Sequence, residues 1–310
     1  MIGYSLYMKR LIGMLENKGL SSSSINVYIK QLERLNGDTV NNLRFLFYYD
    51  DIMEKLDKYG PATRKNYLAM INSILGLFNE PKYEKLKDKY YKLMMELDTT
   101  QREQSKTNEK SQTQKDNWLS WDDIEKVKKE LINDVNSFKS KRTINEKQFE
   151  KILDLLLLSL YTDIPPRRND YKDMIVVKKW IPIMENDVNY YSQSDNTFIF
   201  NVYKTSKKYG QQILKIDNER LLTIIKLYLK HHPLKNDDTS YDFLVSHKGT
   251  PFIINTITKR LNKIFGLKIG ASMLRHIYLT HKYADDLEQM KLDSQMMAHS
   301  MDEQKEYIKK

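Results

Sequence analysis

The sequence predicts an α+β protein, mostly helical, in two domains: an all-helical N-terminal part and a mixed part with a small three-stranded antiparallel sheet. Three observations predict it. Apolar residues recur at three- and four-residue steps over most of the chain, whereas β-branched and aromatic residues with period two appear only between residues 174 and 216. The third is the run 99–116, TTQREQSKTNEKSQTQKD, which contains no apolar residue. A segment that can bury nothing cannot offset the entropy of being ordered, so 99–116 is expected as a polar linker between domains 1–98 and 117–310.

In the first domain, Ser24 stands ahead of Ile25, Tyr28, Leu32 and Leu35, the stripe of an amphipathic helix with a serine cap. Pro61 suits the first turn of another, with Tyr67, Ile71, Ile74 and Phe78 on its apolar face. Leu43–Leu56 and Tyr83–Leu97 also fit helices, and nothing there reads as a strand. The second domain opens with Ser120 and Asp123, a capping box before Ile124, Val127 and Leu131. Phe149–Tyr161 is apolar almost all round, as a helix at the centre of a domain is. Met174–Trp180, Thr197–Lys204 and Gln212–Ile216, with Gly210 at a turn, supply the sheet. Helices are then expected at 218–231, 254–265, 272–286 and 285–297.

Composition narrows the function classes. With 51 Lys and Arg against 41 Asp and Glu the chain carries a formal +10 and a pI near 9.2, which favours a polyanionic partner: nucleic acid or an anionic membrane surface. The absence of cysteine excludes disulfides, thiolate zinc sites and a cysteine nucleophile. Ile152–Tyr161, broken by Asp154 and Ser159, is the longest apolar stretch and too short for a bilayer. The opening MIGYSLYMKRLIGML carries Lys-Arg inside it rather than ahead of an apolar core, unlike a secretory signal, so an intracellular protein is expected.

Four segments hold candidate chemistry. Pro165-Pro166-Arg167-Arg168-Asn169-Asp170 follows the central helix, and a guanidinium fork held against a core suits phosphate, although a basic surface turn would read the same way. Lys204, at the tip of the expected hairpin, could give a proton to a leaving oxygen or simply blunt an exposed edge. In Ser272-Met273-Leu274-Arg275-His276, a cap at Ser272 would set Arg275 and His276 in a first helical turn, where an anion is favoured. His276 and His281 are five apart and share no helical face, so zinc is not expected. Finally, Ser300 and Glu303 form a capping box between His299 and Tyr307, one of 21 tyrosines.

Taken in order, Arg, Lys, Ser-x-x-Arg-His, His and Tyr resemble the catalytic signature of the tyrosine recombinase (phage integrase) family, and the resemblance spans most of the chain. The wording Pro-Pro-Arg-Arg and Met-Leu-Arg-His is most similar to integrases of eukaryotic mobile elements and of large DNA viruses and their satellites. The resemblance implies a SAM-like helical core-binding domain and a mixed catalytic domain, acting on double-stranded DNA as a homotetramer on paired sites, without cofactor or metal. It implies Tyr307 as nucleophile, Arg275 as the second catalytic arginine, Lys204 as the hairpin lysine and His299 as the late histidine. The first arginine stays open: Arg168 fits Pro-Pro-x-Arg, while Arg167 stands three residues before the acidic Asp170. Ser272 occupies a position that is usually His or Lys, with His276 or water left to manage the tyrosine proton, and Ala298 replaces the usual glycine before His299. The family's reaction leaves a 3′-phosphotyrosyl bond and a free 5′-hydroxyl. The rival readings are a type IB topoisomerase and an inactive DNA-binding relative.

Overall fold

A computed structural model describes residues 5–107, 109–235, 240–253, 255–298 and 300–307, and the chain divides into two compact units, Met1–Glu109 and Lys110–Lys310. The first unit is helical: α1 (Leu6–Asn17), α2 (Ser22–Asn36), a 3-10 turn (Arg44–Phe47), α3 (Tyr49–Asp57), α4 (Pro61–Leu75) and α5 (Pro81–Lys106), with no strand among its described residues. Ile25, Leu32, Leu35, Tyr67, Ile71 and Ile74 are buried in one core, as their spacing requires. The cap of α2 is Ser21 rather than Ser24, its hydroxyl accepting the Ser24 N–H.

The expected linker is largely helical. α5 runs on to Lys106, and α6 (Gln112–Asn117) starts on its own capping box at Ser111 and Gln114. Gln, Glu, Arg and Lys are good helix formers, Arg102 pairs with Asp98 at 2.7 Å, and the Thr99 and Thr100 hydroxyls donate to carbonyls four residues back. Local bonds thus order a segment that has nothing to bury. The two units divide within it.

In the second unit, α7 (Trp121–Asn136) begins on the expected Ser120–Asp123 box, and α8 (Glu146–Leu160) is buried throughout its last nine residues. Around α8 pack α7, α10 (Glu219–Lys230) and α11 (Thr256–Phe265). The sheet is mixed and five-stranded, not three-stranded and antiparallel: β1 (Met174–Val177), β2 (Asn189–Ser192), β3 (Thr197–Phe200), β4 (Gln212–Lys215) and β5 (Tyr241–Asp242) lie in the order β4-β3-β2-β1-β5. β1 and β2 are parallel, Met174 opposite Asn189, and the other pairs are antiparallel. The β3–β4 hairpin is the expected one, but β3 stops at Phe200 and a short helix, α9 (Ser206–Tyr209), fills the connection. One sheet face packs Phe198, Phe200 and Tyr191 onto the α8 core, while Tyr190, Ile199 and Val177 form a small cluster on the other.

The two helices expected at 272–286 and 285–297 are one, α12 (Ala271–Met296), followed by α13 (Met301–Tyr307), which contacts it. Among the described residues no helix is long and apolar enough to cross a membrane.

Candidate functional site

The end of α8 is tied down by a buried cation. Lys128 lies on the apolar face of α7 with Ile124, Leu131 and Val135, and its fully buried ammonium reaches Thr162 Oγ1 at 2.7 Å and Asp163 Oδ1 at 2.5 Å. Arg220 bonds the same carboxylate, and Asn218 donates to the Asp163 carbonyl at 3.2 Å. Burial pushes the Lys128 pKa below the ordinary lysine value, against the pull of Asp163. From this anchored point Pro165 and Pro166, each with φ fixed by its ring, lead into Arg167 and Arg168.

The two arginines have opposite surroundings. Arg167 donates from Nε to Asp170 at 3.1 Å and from Nη1 to Gln212 Oε1 at 2.8 Å, and its guanidinium carbon stands 3.8 Å from the Phe200 ring centre and 5.1 Å from that of Tyr203. Arg168 is held by its backbone, whose carbonyl accepts the Tyr161 hydroxyl at 2.9 Å. Its side chain is exposed, with no ion pair among the described residues, and it lines a cavity of about 410 Å³.

That cavity brings together two of the predicted segments. Arg168 and Asn169 form one wall, Gly270, Ala271, Ser272 and Met273 at the start of α12 another, and Thr258 and Lys268 complete it. No Asp or Glu is among these lining residues. The cap of α12 is Gly270 and not Ser272, so Arg275 and His276 fall one turn into the helix rather than in its first turn. The approach there is close: a Cβ at Gly270 would meet Thr258 Cγ2 at 3.2 Å, so a larger residue would need the Thr258 side chain to shift by a few tenths of an ångström. Arg275 is half-buried and without an acidic partner among the described residues, and His276 is exposed. Neither lines the cavity itself.

Lys204 is exposed in the turn after β3, next to the Tyr203 ring that faces Arg167. A residue that sequence reasoning missed, Asn189, holds this stretch to the arginine turn. Its buried amide donates to the carbonyls of Asp170 (2.8 Å) and Val202 (2.9 Å) and accepts the N–H groups of Asn201 and Val202, both at 2.8 Å.

Two phenols near Arg168 are unsuited to nucleophilic work. Tyr161 and Tyr171 are fully buried, and burial raises both pKa values. Tyr307 is the last residue of α13, whose expected capping box is present: Ser300 Oγ accepts the Glu303 N–H at 3.2 Å and Glu303 Oε2 accepts the Ser300 N–H at 2.7 Å. Ala298 has φ 56°, a left-handed conformation that costs a non-glycine residue on the order of 1 kcal/mol, at the position where the resemblance leads one to expect glycine. His299 lies outside the described residues. Compared with known proteins, the chain matches no family model, and no curated protein gives a significant match.

Proposed function

We propose that the chain is a site-specific tyrosine recombinase that cuts and rejoins double-stranded DNA through a 3′-phosphotyrosyl intermediate. One observation carries the reading: Arg168 and Ser272, from two motifs far apart in sequence, line a single cavity without a carboxylate, and Arg275 follows Ser272 on the same helix. A phosphodiester under attack gathers negative charge on its nonbridging oxygens, and fixed guanidinium donors stabilise that charge. In this reading Arg168 and Arg275 hold those oxygens with His299, Tyr307 attacks the phosphorus, and Lys204 protonates the departing 5′-oxygen. The phosphotyrosyl bond conserves the energy of the broken one, so attack by a 5′-hydroxyl rejoins the strand. Recombination between paired sites calls for a homotetramer on DNA, inside a cell. Ser272, where the family usually has a titratable side chain, favours a second reading, an inactive DNA-binding relative.

Covalent trapping separates the two. The full chain is incubated with randomised, nicked DNA duplexes, from which the short cleaved fragment diffuses away, and denaturant-stable protein–DNA adducts are collected. The wild type should accumulate adduct and Tyr307→Phe none. DNA binding without adduct by the wild type contradicts the proposal and leaves the binder.

A further inference from the structure

The cavity walled by Arg168 and Ser272 contains a second cation that no motif singled out, Lys268. Its backbone is fixed on both sides: the Lys268 N–H donates to Asn117 Oδ1 at 2.8 Å, and the next residue, Ile269, is fully buried in the core. Its ammonium is exposed and has no carboxylate partner among the described residues. The remaining walls offer the hydroxyls of Thr258 and Ser272 and the amide of Asn169, whose oxygen is buried without a partner among the described residues. Two cations from separate segments and two hydroxyls, with no acid among the lining residues, form a pocket for an anion. Its volume of about 410 Å³ suits a phosphate together with part of the sugar it esterifies.

We propose that Lys268 is a phosphate ligand of this cavity, sharing one phosphate group with Arg168. Arginine presents a planar fork and lysine a point charge on a flexible stem, so the pair can take two oxygens of one phosphate from different sides. Ser272 carries no charge, and the cation contributed by this wall comes from four residues upstream. That the phosphate belongs to a DNA strand rests on the recombinase reading; the anion site does not.

The test measures two things at low ionic strength on the full chain: affinity for inorganic phosphate, and the rate of covalent trapping on nicked DNA. The proteins are wild type, Lys268→Gln, Lys268→Arg, and Lys226→Gln as an exposed control on α10, each checked for an unchanged thermal transition. Lys268→Gln should weaken phosphate binding by about tenfold or more, Lys268→Arg should recover most of it, and Lys226→Gln should leave it unchanged. Phosphate binding that is absent from the wild type, or equal in wild type and Lys268→Gln, overturns the inference. Phosphate binding that depends on Lys268 in a protein that traps no DNA upholds the anion site and removes the recombinase reading instead.

Discussion

Arg167 and Arg168 are adjacent and carry the same charge, yet one is absorbed by its own unit and the other is exposed, with no ion pair among the described residues. Arg167 spends its donors on Asp170 and Gln212 and stacks on Phe200, so it joins the arginine turn to β3 and β4. Replacing it with alanine should destabilise the protein by about 2 kcal/mol, the sum of a partly buried ion pair, a hydrogen bond and a cation–ring contact. Arg168→Ala should leave stability within about 0.5 kcal/mol, as surface substitutions do, while lowering the trapping rate by roughly a hundredfold or more. Urea unfolding and trapping on the same two variants check this, and the reverse pattern would assign the phosphate to Arg167. The sequence left the two open because an acid three residues on is the same signal whether the arginine is structural or catalytic. The choice turns on Gln212 and Phe200, which local spacing does not connect to it.

At the scale of elements, periods and some caps are legible, but the caps of α2 and α12 are Ser21 and Gly270 rather than Ser24 and Ser272, and strand partners are not legible. Pro61, the Ser120–Asp123 box, the Ser300–Glu303 box and the apolar run of α8 act locally, and each element lies where those residues put it. β2 was missed because Asn189–Ser192 stands in a run rich in Asn, Asp and Ser, the composition of a turn. It is a strand because its polar side chains bond backbone elsewhere: Asn189 to the arginine turn and the end of β3, and Ser192 Oγ to the Trp180 N–H at 3.1 Å. Lys128 was legible in principle, since it falls on the apolar stripe of α7 where a lysine needs a buried acid.

The junction of α10 and β5 carries a pH dependence. His232 is 5% exposed, with Nε2 donating to the Phe243 carbonyl at 3.3 Å, Nδ1 accepting the Leu234 N–H at 3.2 Å, and the rings of Tyr228 and Tyr241 against it. Burial lowers its pKa from 6.5 to about 4, and burial likewise lowers that of His231. A depressed histidine pKa means that the unfolded chain takes up the proton first. The stability it contributes is therefore present above pH 6.5 and lost as pH falls towards 4, by up to about 3 kcal/mol. Denaturant titrations at pH 7 and pH 4.5 should show the gap between wild type and His232→Phe narrowing with acid. A gap that does not change between the two would contradict the assignment.

For the whole molecule, the chain divides into compact units Met1–Glu109 and Lys110–Lys310, inside the run 99–116 expected as an unordered polar linker, much of which is helical. It also named the segments that meet at the cavity, Pro-Pro-Arg-Arg and Ser-x-x-Arg, but not Lys268, which belongs to no motif and is recognised only by the wall it shares. A net charge of +10 is consistent with a polyanionic partner but names none. In the proposed reaction Tyr307 becomes covalently joined to DNA. The direct measurement is digestion of the trapped adduct and identification by mass spectrometry of the tyrosine that carries the nucleotide. The nucleotide mass is expected on Tyr307 alone; a nucleotide on any other of the 21 tyrosines, or on none, would contradict the proposed reaction.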